Sequence, residues 1–361
     1  MKLMSDDAQV GGLAQTRRPT MEDVALRAGV SRALVSIVFR DQPGAGEQTR
    51  ARIRAAAAEI GYRPDTRAQL LSRKQTRLIG VSFGIGHEFH ADVVTELYAA
   101  AQHSGYELVL SGVTSHRKEQ RAAQDLLAFR CDAVILLGPS ARLPELAAIG
   151  RQTPTVIVAR AVRAEGIDVV RTDDVTGAEL ATRHLLELGH RRILHVDGGR
   201  APGAAERRRG YLAAMRAAGL ERLTKIIAGG LTEAEGSQAA ASLIDRRMRS
   251  ARMSDGDSAT AAVVFNDQSA VGFLATVRAA GINVPRQISV VGYDDSRLAR
   301  ASWARLTTIG QDTAAIAEAA MQRAIARIAG DPAGKPVLIK PTLIERATTA
   351  PPTGVPPKAQ H

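Results

Sequence analysis

The stretch Thr20-Met-Glu-Asp-Val-Ala-Leu-Arg-Ala-Gly-Val-Ser-Arg-Ala-Leu-Val-Ser-Ile-Val-Phe39 has the spacing of two short helices joined by a tight turn. Thr20 can cap the first helix, and Ser31 can cap a second helix from about Arg32 to Phe39. Gly29, between the two, can adopt the positive φ that a tight turn requires. The stretch therefore predicts a helix-turn-helix.

A third helix is predicted from about Gln48 to Ile60, because Ile53, Ala56 and Ile60 fall on one apolar face. Basic charge is concentrated around these helices. Residues 17–77 contain 13 Lys or Arg and 6 Asp or Glu, so this segment carries a net charge of +7 out of the chain's formal net charge of +11. Localised positive charge of this kind favours a polyanionic partner, and double-stranded DNA in particular.

After Lys74 the pattern changes to apolar strands that alternate with amphipathic helices. The predicted strands are Leu78–Phe83, Glu107–Ser111, Ala133–Leu137, Thr155–Ala159, Arg192–Val196, Ala262–Phe265 and Ile288–Gly292. The predicted helices are Val93–His103, Glu119–Phe129, Gly177–Leu188, Ala205–Ala217, Glu233–Met248 and Gln268–Ala280. Helical connections of this length imply parallel strands, and there are enough units for two doubly wound sheets with a ligand cleft between them.

Bulk composition excludes several classes of protein. The 361 residues suggest two or three domains, and 45% of them are hydrophobic, enough for large cores. Apolar runs are strand-sized, well short of the roughly 20 residues of a membrane helix, and no signal-peptide core precedes residue 15. Cys131 is the only cysteine, so no disulfide can form within the chain. These features favour a cytoplasmic protein that does not contact a membrane.

The second predicted helix offers side chains that could read DNA. Arg32, Ala33 and Ser36 would point away from the helical core, toward a major groove. Arginine can bind guanine in a bidentate manner, and serine can contact bases or phosphate. Arg50, Arg52 and Arg54 are better suited to phosphate contacts. The alternative is a small helical bundle with a solvated basic face.

Polar side chains also follow the predicted strands at the carboxyl edge of the second sheet. Asp294 follows one strand, Asn266 follows another, and Arg207 begins a helix after a glycine-rich loop. Carboxylate, amide and guanidinium together supply the acceptors and donors that hold vicinal hydroxyls. Each could instead cap a helix, which is the interpretation we favour for Asp267 and Asp295.

Over nearly all of residues 19–349 the sequence resembles the LacI/GalR repressors. The residues that carry the resemblance are Asp23-Val-Ala25, Ala28-Gly-Val-Ser31, Val35-Ser36, Thr49-Arg50, Gly61-Tyr-Arg-Pro64, His184-Leu-Leu-Glu-Leu-Gly-His190, Arg207 with Gly210, Phe265-Asn-Asp267, Ile288-Ser-Val-Val-Gly-Tyr-Asp-Asp295, and Leu306-Thr-Thr308 with Gln311. The resemblance implies an N-terminal all-α helix-turn-helix domain joined to an α/β periplasmic-binding-protein-like domain of two doubly wound parallel-sheet subdomains.

The resemblance also implies a hinge helix from about Thr66 to Ser72 that folds only on operator DNA, with Leu71 as a wedge in the minor groove. The candidate DNA contacts are Thr20, Ser31, Arg32, Ala33, Ser36, Arg40, Thr49, Arg50, Tyr62, Arg67, Ala68, Gln69 and Leu71. The candidate effector contacts are Phe89, placed in the first strand-to-helix loop, Arg207, Asn266 and Asp294. The expected partners are palindromic double-stranded operator DNA, a small-molecule effector and a second copy of the chain.

The sequence departs from the family's usual pattern at four positions. Ile37 stands where relatives carry a base-contacting arginine, so the operator sequence stays open. Asp65 replaces a common asparagine. In the cleft, Ala159 stands where many relatives have aspartate, and Leu231 where they have an aromatic residue. A sugar would lose one hydroxyl acceptor and one stacking face, so the identity of the effector stays open too.

The expected domain organisation has five parts. A disordered lead-in covers residues 1–18, the DNA-binding domain 19–64, the hinge and linker 65–76, the effector-binding and dimerisation domain 77–349, and a flexible tail 350–361. Within the effector domain, one subdomain would comprise about 77–172 and 310–330, the other 173–305 and 331–349. The tail has no leucine heptads, so a tetramerising coiled coil is not expected.

Three functions fit a sheet domain of this kind: a ligand-controlled repressor, a sugar carrier and a cytoplasmic enzyme acting on sugars or nucleotides. The basic first domain disfavours the carrier. Gly84-Ile-Gly86 lacks the third glycine of a dinucleotide site, and no histidine or cysteine cluster joins the aspartate doublets. We therefore expect no catalytic activity, cofactor or metal, and predict a transcriptional regulator whose operator affinity is controlled by a sugar or related polyol.

Overall fold

The computed structural model describes residues 17, 19–63, 75–252 and 259–353. The chain divides between Thr76 and Arg77 into two compact units. The predictions for the lead-in at 1–16, the hinge segment at 64–74 and the tail at 354–361 lie outside the described residues.

The first unit contains three helices: α1 (Met21–Ala28), α2 (Arg32–Phe39) and α3 (Glu47–Glu59). Thr20 and Asp23 form a capping box, in which the Asp23 carboxylate accepts a bond from the Thr20 backbone N–H at 2.7 Å. Gly29 ends α1 in the left-handed region at φ 62°. Val24, Val35 and Ile53 are fully buried where the three helices meet. The helix-turn-helix prediction is confirmed, with α3 one residue earlier at each end.

The second unit alternates strands with helices. In chain order its elements are β1 (Leu78–Gly84), α4 (Glu88–Ser104), β2 (Glu107–Val113), α5 (Glu119–Ala128), β3 (Ala133–Leu137), α6 (Leu143–Gly150), β4 (Thr155–Val158), β5 (Ile167–Thr172), α7 (Asp174–Glu187), β6 (Ile193–Asp197), α8 (Ala204–Ala217), β7 (Lys225–Ala228), α9 (Glu233–Arg252), β8 (Ala261–Val264), α10 (Asp267–Ala279), β9 (Ser289–Asp294), α11 (Arg297–Arg300), β10 (Thr307–Gly310), α12 (Thr313–Ala329), β11 (Val337–Ile339) and β12 (Thr342–Ile344).

These strands form two six-stranded sheets. The first has the order β11-β5-β4-β3-β1-β2, the second β12-β10-β9-β8-β6-β7, and all pairs are parallel except β10 with β12. The central strands β3, β4 and β8 are wholly buried because helices cover both faces. Two doubly wound subdomains, as predicted, are confirmed. None of the described helices is long and apolar enough to cross a bilayer.

Helix α4 begins five residues earlier than predicted. Phe89 therefore lies in its first turn and not in a loop, which corrects the predicted position. Phe89 and Val93 are one helical turn apart, and both are buried. The carboxylate of Glu88 also favours a helix start at this point, since it interacts with the positive end of the helix dipole.

The predicted assignment of residues 331–349 to the second subdomain is wrong for part of the segment. Strand β11 pairs with β5 in the first sheet, with Val337 beside Val170. Only β12 joins the second sheet, where Ile344 pairs with Thr308. The split covers the edge of β5, whose backbone groups would otherwise lack a partner strand. The chain passes between the two sheets after β5, after β10 and again after β11.

Several elements have no counterpart in the sequence prediction. They are strands β5, β7, β10, β11 and β12 and helices α6, α11 and α12. The three-residue strands β11 and β12 are too short for a periodic pattern to identify them. Strand β7 lies at a sheet edge and is partly exposed, so it lacks the continuous apolar run of a buried parallel strand.

Candidate functional site

A cavity of about 310 Å³ lies between the two subdomains of the second unit. All four predicted effector contacts line it, although they come from four separate elements. They are Phe89, Arg207, Asn266 and Asp294. The two departures noted in the sequence, Ala159 and Leu231, also line this cleft. The structure therefore brings the candidate site together at the edge where parallel strands end.

Arg207 is held from several directions. It is the fourth residue of α8, and its Nε donates to Oδ1 of Asp174 at 2.9 Å. Its Nη1 donates to the carbonyl of Phe265 at 2.6 Å. The guanidinium carbon lies 3.5 Å from the centre of the Tyr293 ring, and Nη2 is 3.9 Å from Oδ1 of Asp294. These contacts fix the plane of the guanidinium, which turns one edge toward the cleft.

Asp174 is a partner of Arg207 that was not predicted from the sequence. This aspartate is the first residue of α7, directly after the crossing from the first sheet, and only 3% of its surface is exposed. Burial raises the pKa of its carboxyl, and the positive charge of Arg207 acts against that rise. The available signal in the sequence is its position in the Asp173-Asp174 doublet, directly after a strand.

Asp294 is the last residue of β9 and has a φ of 120°, in a region unfavourable for a residue with a side chain. Its Oδ1 accepts a bond from Nε2 of Gln311 at 2.8 Å. Burial raises the pKa of Asp294 to about 7, although Arg207 favours the charged form. Gln311 is also hydrogen-bonded to Thr172. The carboxylate in the cleft is thus connected to two of the segments that join the subdomains.

Asn266 has both a structural and a binding capacity. Its Oδ1 caps α10 by accepting from the Ser269 N–H at 2.8 Å, and its Nδ2 donates to the carbonyl of Leu231 at 3.1 Å. An amide nitrogen carries two hydrogens, so one N–H is left for a ligand in the cleft. The cap and the contact are therefore compatible.

Asp267 and Asp295 bond within the second subdomain and do not line the cleft formed by the described residues. Asp267 accepts from the Ser296 N–H at 2.8 Å and from the Thr308 hydroxyl at 2.6 Å. Burial raises the pKa of Asp267 to about 8. Asp295 is ion-paired with Arg300 at 2.9 Å and also with Arg346. Both aspartates are structural, but neither caps one of the described helices, which is the role favoured from the sequence: Asn266 caps α10, and the two aspartates bond to other elements of the subdomain.

The cleft contains polar residues that the sequence analysis did not identify. His87 and His90 stand beside Phe89 on its first-subdomain wall, with their ring centres 4.9 Å apart. Further polar contributions come from Ser82, Glu119, Ser140, Arg200, Gln268, Ser296 and Gln311. No short motif marks these residues, because they are separated along the chain and only the tertiary fold brings them together.

In the first unit, Arg32 and Ala33 are exposed at the start of α2, and Ser36 follows one turn later. Ser31 caps α2 by accepting from the Leu34 N–H at 3.2 Å. The Ser36 hydroxyl accepts from Nε of Arg40 at 3.0 Å. The first turns of α2 therefore present a basic, hydrogen-bonding surface, as the sequence predicts for a recognition helix.

The remaining predicted DNA contacts lie in different settings. Thr20 belongs to the α1 capping box, Thr49 is half-buried in α3, and Tyr62 packs with its ring centre 5.5 Å from that of Phe39. Arg50 donates to the Ala45 carbonyl at 3.1 Å and to Asp41 at 3.0 Å, which ties its guanidinium to the loop before α3. The predicted contacts Arg67, Ala68, Gln69 and Leu71 lie outside the described residues.

Among the described residues, no group of three or more histidine, cysteine, aspartate or glutamate side chains is arranged to hold a metal ion.

Comparison with protein families finds two matches in this chain. Residues 20–65 match the model of bacterial regulatory proteins of the lacI family, and residues 182–349 match a periplasmic binding protein-like domain. The chain is 30% identical over 341 residues to the HTH-type transcriptional regulator GalR of Salmonella typhimurium strain LT2, covering 92% of this chain and 97% of that protein.

Solved structures give the same result. A LacI transcriptional regulator from a Rhodococcus species is 45% identical with a TM-score of 0.72, covering 76% of this chain and 98% of that one. The lac repressor dimer bound to operator and the anti-inducer ONPF is 26% identical with a TM-score of 0.80, covering 92% of this chain and 100% of that one. A complex of the transcriptional regulator CelR with cellobiose is 28% identical with a TM-score of 0.65, again covering 92% of this chain and 100% of that one.

The helix-turn-helix, the two-sheet unit with its polar cleft, and the similarity along almost the whole length agree with one another. The chain belongs to the LacI family of bacterial regulatory proteins and is a DNA-binding transcriptional regulator.

Proposed function

We propose that this regulator is a repressor whose operator affinity is controlled by a neutral sugar or related polyol bound in the cleft of its second unit. The observation that carries the proposal is the convergence of Arg207, Asn266 and Asp294 on one cavity of about 310 Å³. A cavity of that size falls in the range of small-molecule sites, and its lining combines apolar and polar side chains.

The ligand class follows from the chemistry of these groups. Asp294 supplies an acceptor for a hydroxyl, while Arg207 and the remaining N–H of Asn266 supply donors. The positive charge of Arg207 is balanced by Asp174 and Asp294, so the cleft does not demand a charged ligand. The cellobiose complex of CelR supports a sugar as the ligand. Ala159 and Leu231 provide neither an acceptor nor an aromatic face, which favours a ligand that makes fewer hydroxyl contacts on that side.

We infer that ligand binding is coupled to DNA through the segments that cross between the sheets. Gln311 and Thr172 stand on two of these segments, and Gln311 bonds to Asp294 in the cleft. A ligand that binds one arrangement of the subdomains better than another shifts the population of the two. Coupling of this kind is typically about 1–3 kcal/mol, or 5- to 150-fold in affinity.

We also propose that the active form is a homodimer on a palindromic operator. Helix-turn-helix readers place two recognition helices on half-sites related by two-fold symmetry. The operator-bound dimer of the lac repressor supports this arrangement. In the recognition helix, Arg32 and Ser36 would contact base edges. We assign the cleft to binding and not to catalysis, because its carboxylate and guanidinium are paired with each other and with neighbouring residues.

The test is a binding assay between the full chain and the DNA upstream of its own gene. Fluorescence anisotropy at fixed salt would be measured without sugar and with D-ribose, D-galactose, cellobiose or myo-inositol. We expect specific binding that changes at least 5-fold with one of these compounds. An operator affinity that none of them alters would contradict ligand control, and no preference over random DNA would contradict operator recognition.

A further inference from the structure

His90 is the third residue of α4 and lines the same cleft as Phe89. Its Nδ1 lies 3.1 Å from the backbone nitrogen of Gly84. A backbone nitrogen can only donate, so Nδ1 must accept and carries no proton. A neutral imidazole in this position therefore carries its proton on Nε2. Burial holds the ring in the neutral form by lowering the pKa of His90 to about 3.

The Nε2 edge of this ring faces a part of the cleft where both subdomains contribute. A Cβ on Gly138, directly after β3, would lie 2.8 Å from Nε2 and 3.9 Å from Pro202 of the second subdomain. Gly138 also has a φ of 50°, so a side chain at this position would be both strained and obstructive. Glycine at position 138 thus leaves open the space next to the Nε2–H.

The structure gives Nε2 of His90 no hydrogen-bond acceptor among the described residues, although its Nδ1 is satisfied. This N–H opens onto the cleft and has no acceptor there from the described part of the chain, so it is available to a cleft occupant that brings an oxygen. Its neighbour His87 is accommodated in a similar way, since a Cβ on Gly84 would lie 2.3 Å from Cδ2 of the His87 ring. Two glycines therefore make room for two imidazoles on one wall.

We propose that His90 determines effector specificity by donating its Nε2–H to a hydroxyl or ring oxygen of a neutral polyhydroxylated ligand. This inference rests on the proposed function, because it assigns a further donor to the same cleft. Arg207, Asn266 and Asp294 hold the ligand from the second subdomain, and His90 contacts it from the first. A ligand that satisfies both sides favours the arrangement of the subdomains in which both sides reach it.

Three substitutions distinguish the roles of the two ring nitrogens of His90. His90→Asn keeps an acceptor for the Gly84 N–H but has no donor at the Nε2 position. His90→Gln keeps a donor near Nε2 but no group at Nδ1, and His90→Phe keeps only the ring. His103→Phe, on an exposed position of the same helix, is the matched control.

The affinity of each variant would be measured by titration calorimetry with D-ribose, D-galactose, cellobiose and myo-inositol, after circular dichroism shows native helix content. For the compound that binds the unsubstituted chain best, we expect a loss of about 3- to 10-fold in His90→Asn and His90→Phe, as for one neutral hydrogen bond. The affinities of His90→Gln and His103→Phe should stay within about 2-fold of that of the unsubstituted chain. Unchanged affinity in His90→Asn and His90→Phe would overturn the inference and leave the proposed function intact.

Nitrogen-15 NMR of the histidine rings tests the donor independently of the calorimetry. The His90 ring should carry its proton on Nε2 at pH 7, and the Nε2 resonance should shift when the bound compound is added. A proton on Nδ1, or a resonance that does not respond to a ligand that binds, would contradict the donor role. If none of the four compounds binds the unsubstituted chain, the ligand class in both proposals is wrong.

Discussion

Nε of Arg207 and Oδ1 of Asp174 are 2.9 Å apart, and both side chains are at least nine-tenths buried. Thirty-three positions separate the two residues in the chain. The pair joins the start of α7 to the start of α8, beside the cleft. The Tyr293 ring packs on the guanidinium at 3.5 Å, so Asp174 and Tyr293 together set the orientation of the arginine.

We predict that Asp174→Ala lowers the free energy of unfolding of the second unit by about 3–5 kcal/mol, the range for breaking a buried ion pair from one side. Asp174→Asn keeps an oxygen that can accept a hydrogen bond from Arg207, so we expect it to lower the free energy of unfolding by less. Urea unfolding monitored by the fluorescence of Trp303, the only tryptophan and a residue of the second unit, measures the difference. Equal losses in the two variants would show that the hydrogen bond at this position is not what stabilises the arrangement.

Gly210 allows α8 to pack closely on α7. A Cβ at this position would lie 2.2 Å from the backbone oxygen of Val175 and 2.9 Å from Cβ of Ala178. We expect Gly210→Ala to lower the free energy of unfolding by about 1–3 kcal/mol, because the two helices must move apart. Gly86→Ala is the control, since a Cβ there meets no atom within 4 Å. Urea midpoints measured with Trp303 fluorescence compare the stability of the two variants. An equal loss of unfolding free energy in Gly86→Ala would contradict the packing argument.

Arg32 and Arg54 should differ in how they contribute to DNA binding. We expect Arg32→Ala to lose about 1–3 kcal/mol of discrimination between specific and random DNA, as for a lost base contact. Arg54→Ala should weaken binding to specific and random DNA alike and reduce the slope of log affinity against log salt by about 1. Anisotropy titrations with DNA selected by the chain from a random pool would measure both effects at several salt concentrations.

Arg216→Ala, on an exposed position of α8 in the second unit, is the control for these DNA measurements. It should change neither the discrimination nor the salt slope. A loss of discrimination in Arg54→Ala equal to that in Arg32→Ala would mean that the two arginines are not divided between phosphate and base contacts.

Stability should fall with acidification partly because of His195. This histidine is buried in β6, with its ring stacked on Tyr211 at 5.3 Å. Burial lowers its pKa from 6.5 to about 4, against the opposing charge of Asp197. Between these two values the unfolded chain binds the proton more readily, so the contribution of His195 is complete above pH 6.5 and is lost as the pH falls toward 4.

The loss across this window should reach at most about 3 kcal/mol for the single group. His195→Phe keeps an aromatic ring against Tyr211 but cannot titrate, so its free energy of unfolding should depend less on pH between 6.5 and 4. His103→Phe, which removes an exposed histidine, should follow the unsubstituted chain. Urea unfolding at half-unit pH intervals provides the measurement, and identical slopes in all three proteins would contradict the role of His195.

The sequence alone was sufficient where a local pattern defines the structure. The caps at Thr20 and Ser31 and the left-handed Gly29 define the helix-turn-helix, because capping and tight turns depend on residues a few positions apart. Strands alternating with helices predicted two parallel sheets. The placement of Asn266 and Asp294 at the carboxyl ends of strands then brought them to the same cleft.

The tertiary structure alone decided which distant residues meet. It paired Arg207 with Asp174, divided residues 331–349 between the two sheets, and placed His90 beside Gly84 and Gly138. The physical reason is that periodicity in a sequence records which face of an element avoids water, and records nothing of the neighbour that covers it. Strand order and the packing of helices on sheets choose that neighbour, so the sequence determined the elements with a clear periodic pattern and the candidate residues at their ends, and the fold decided the remaining elements and the partners.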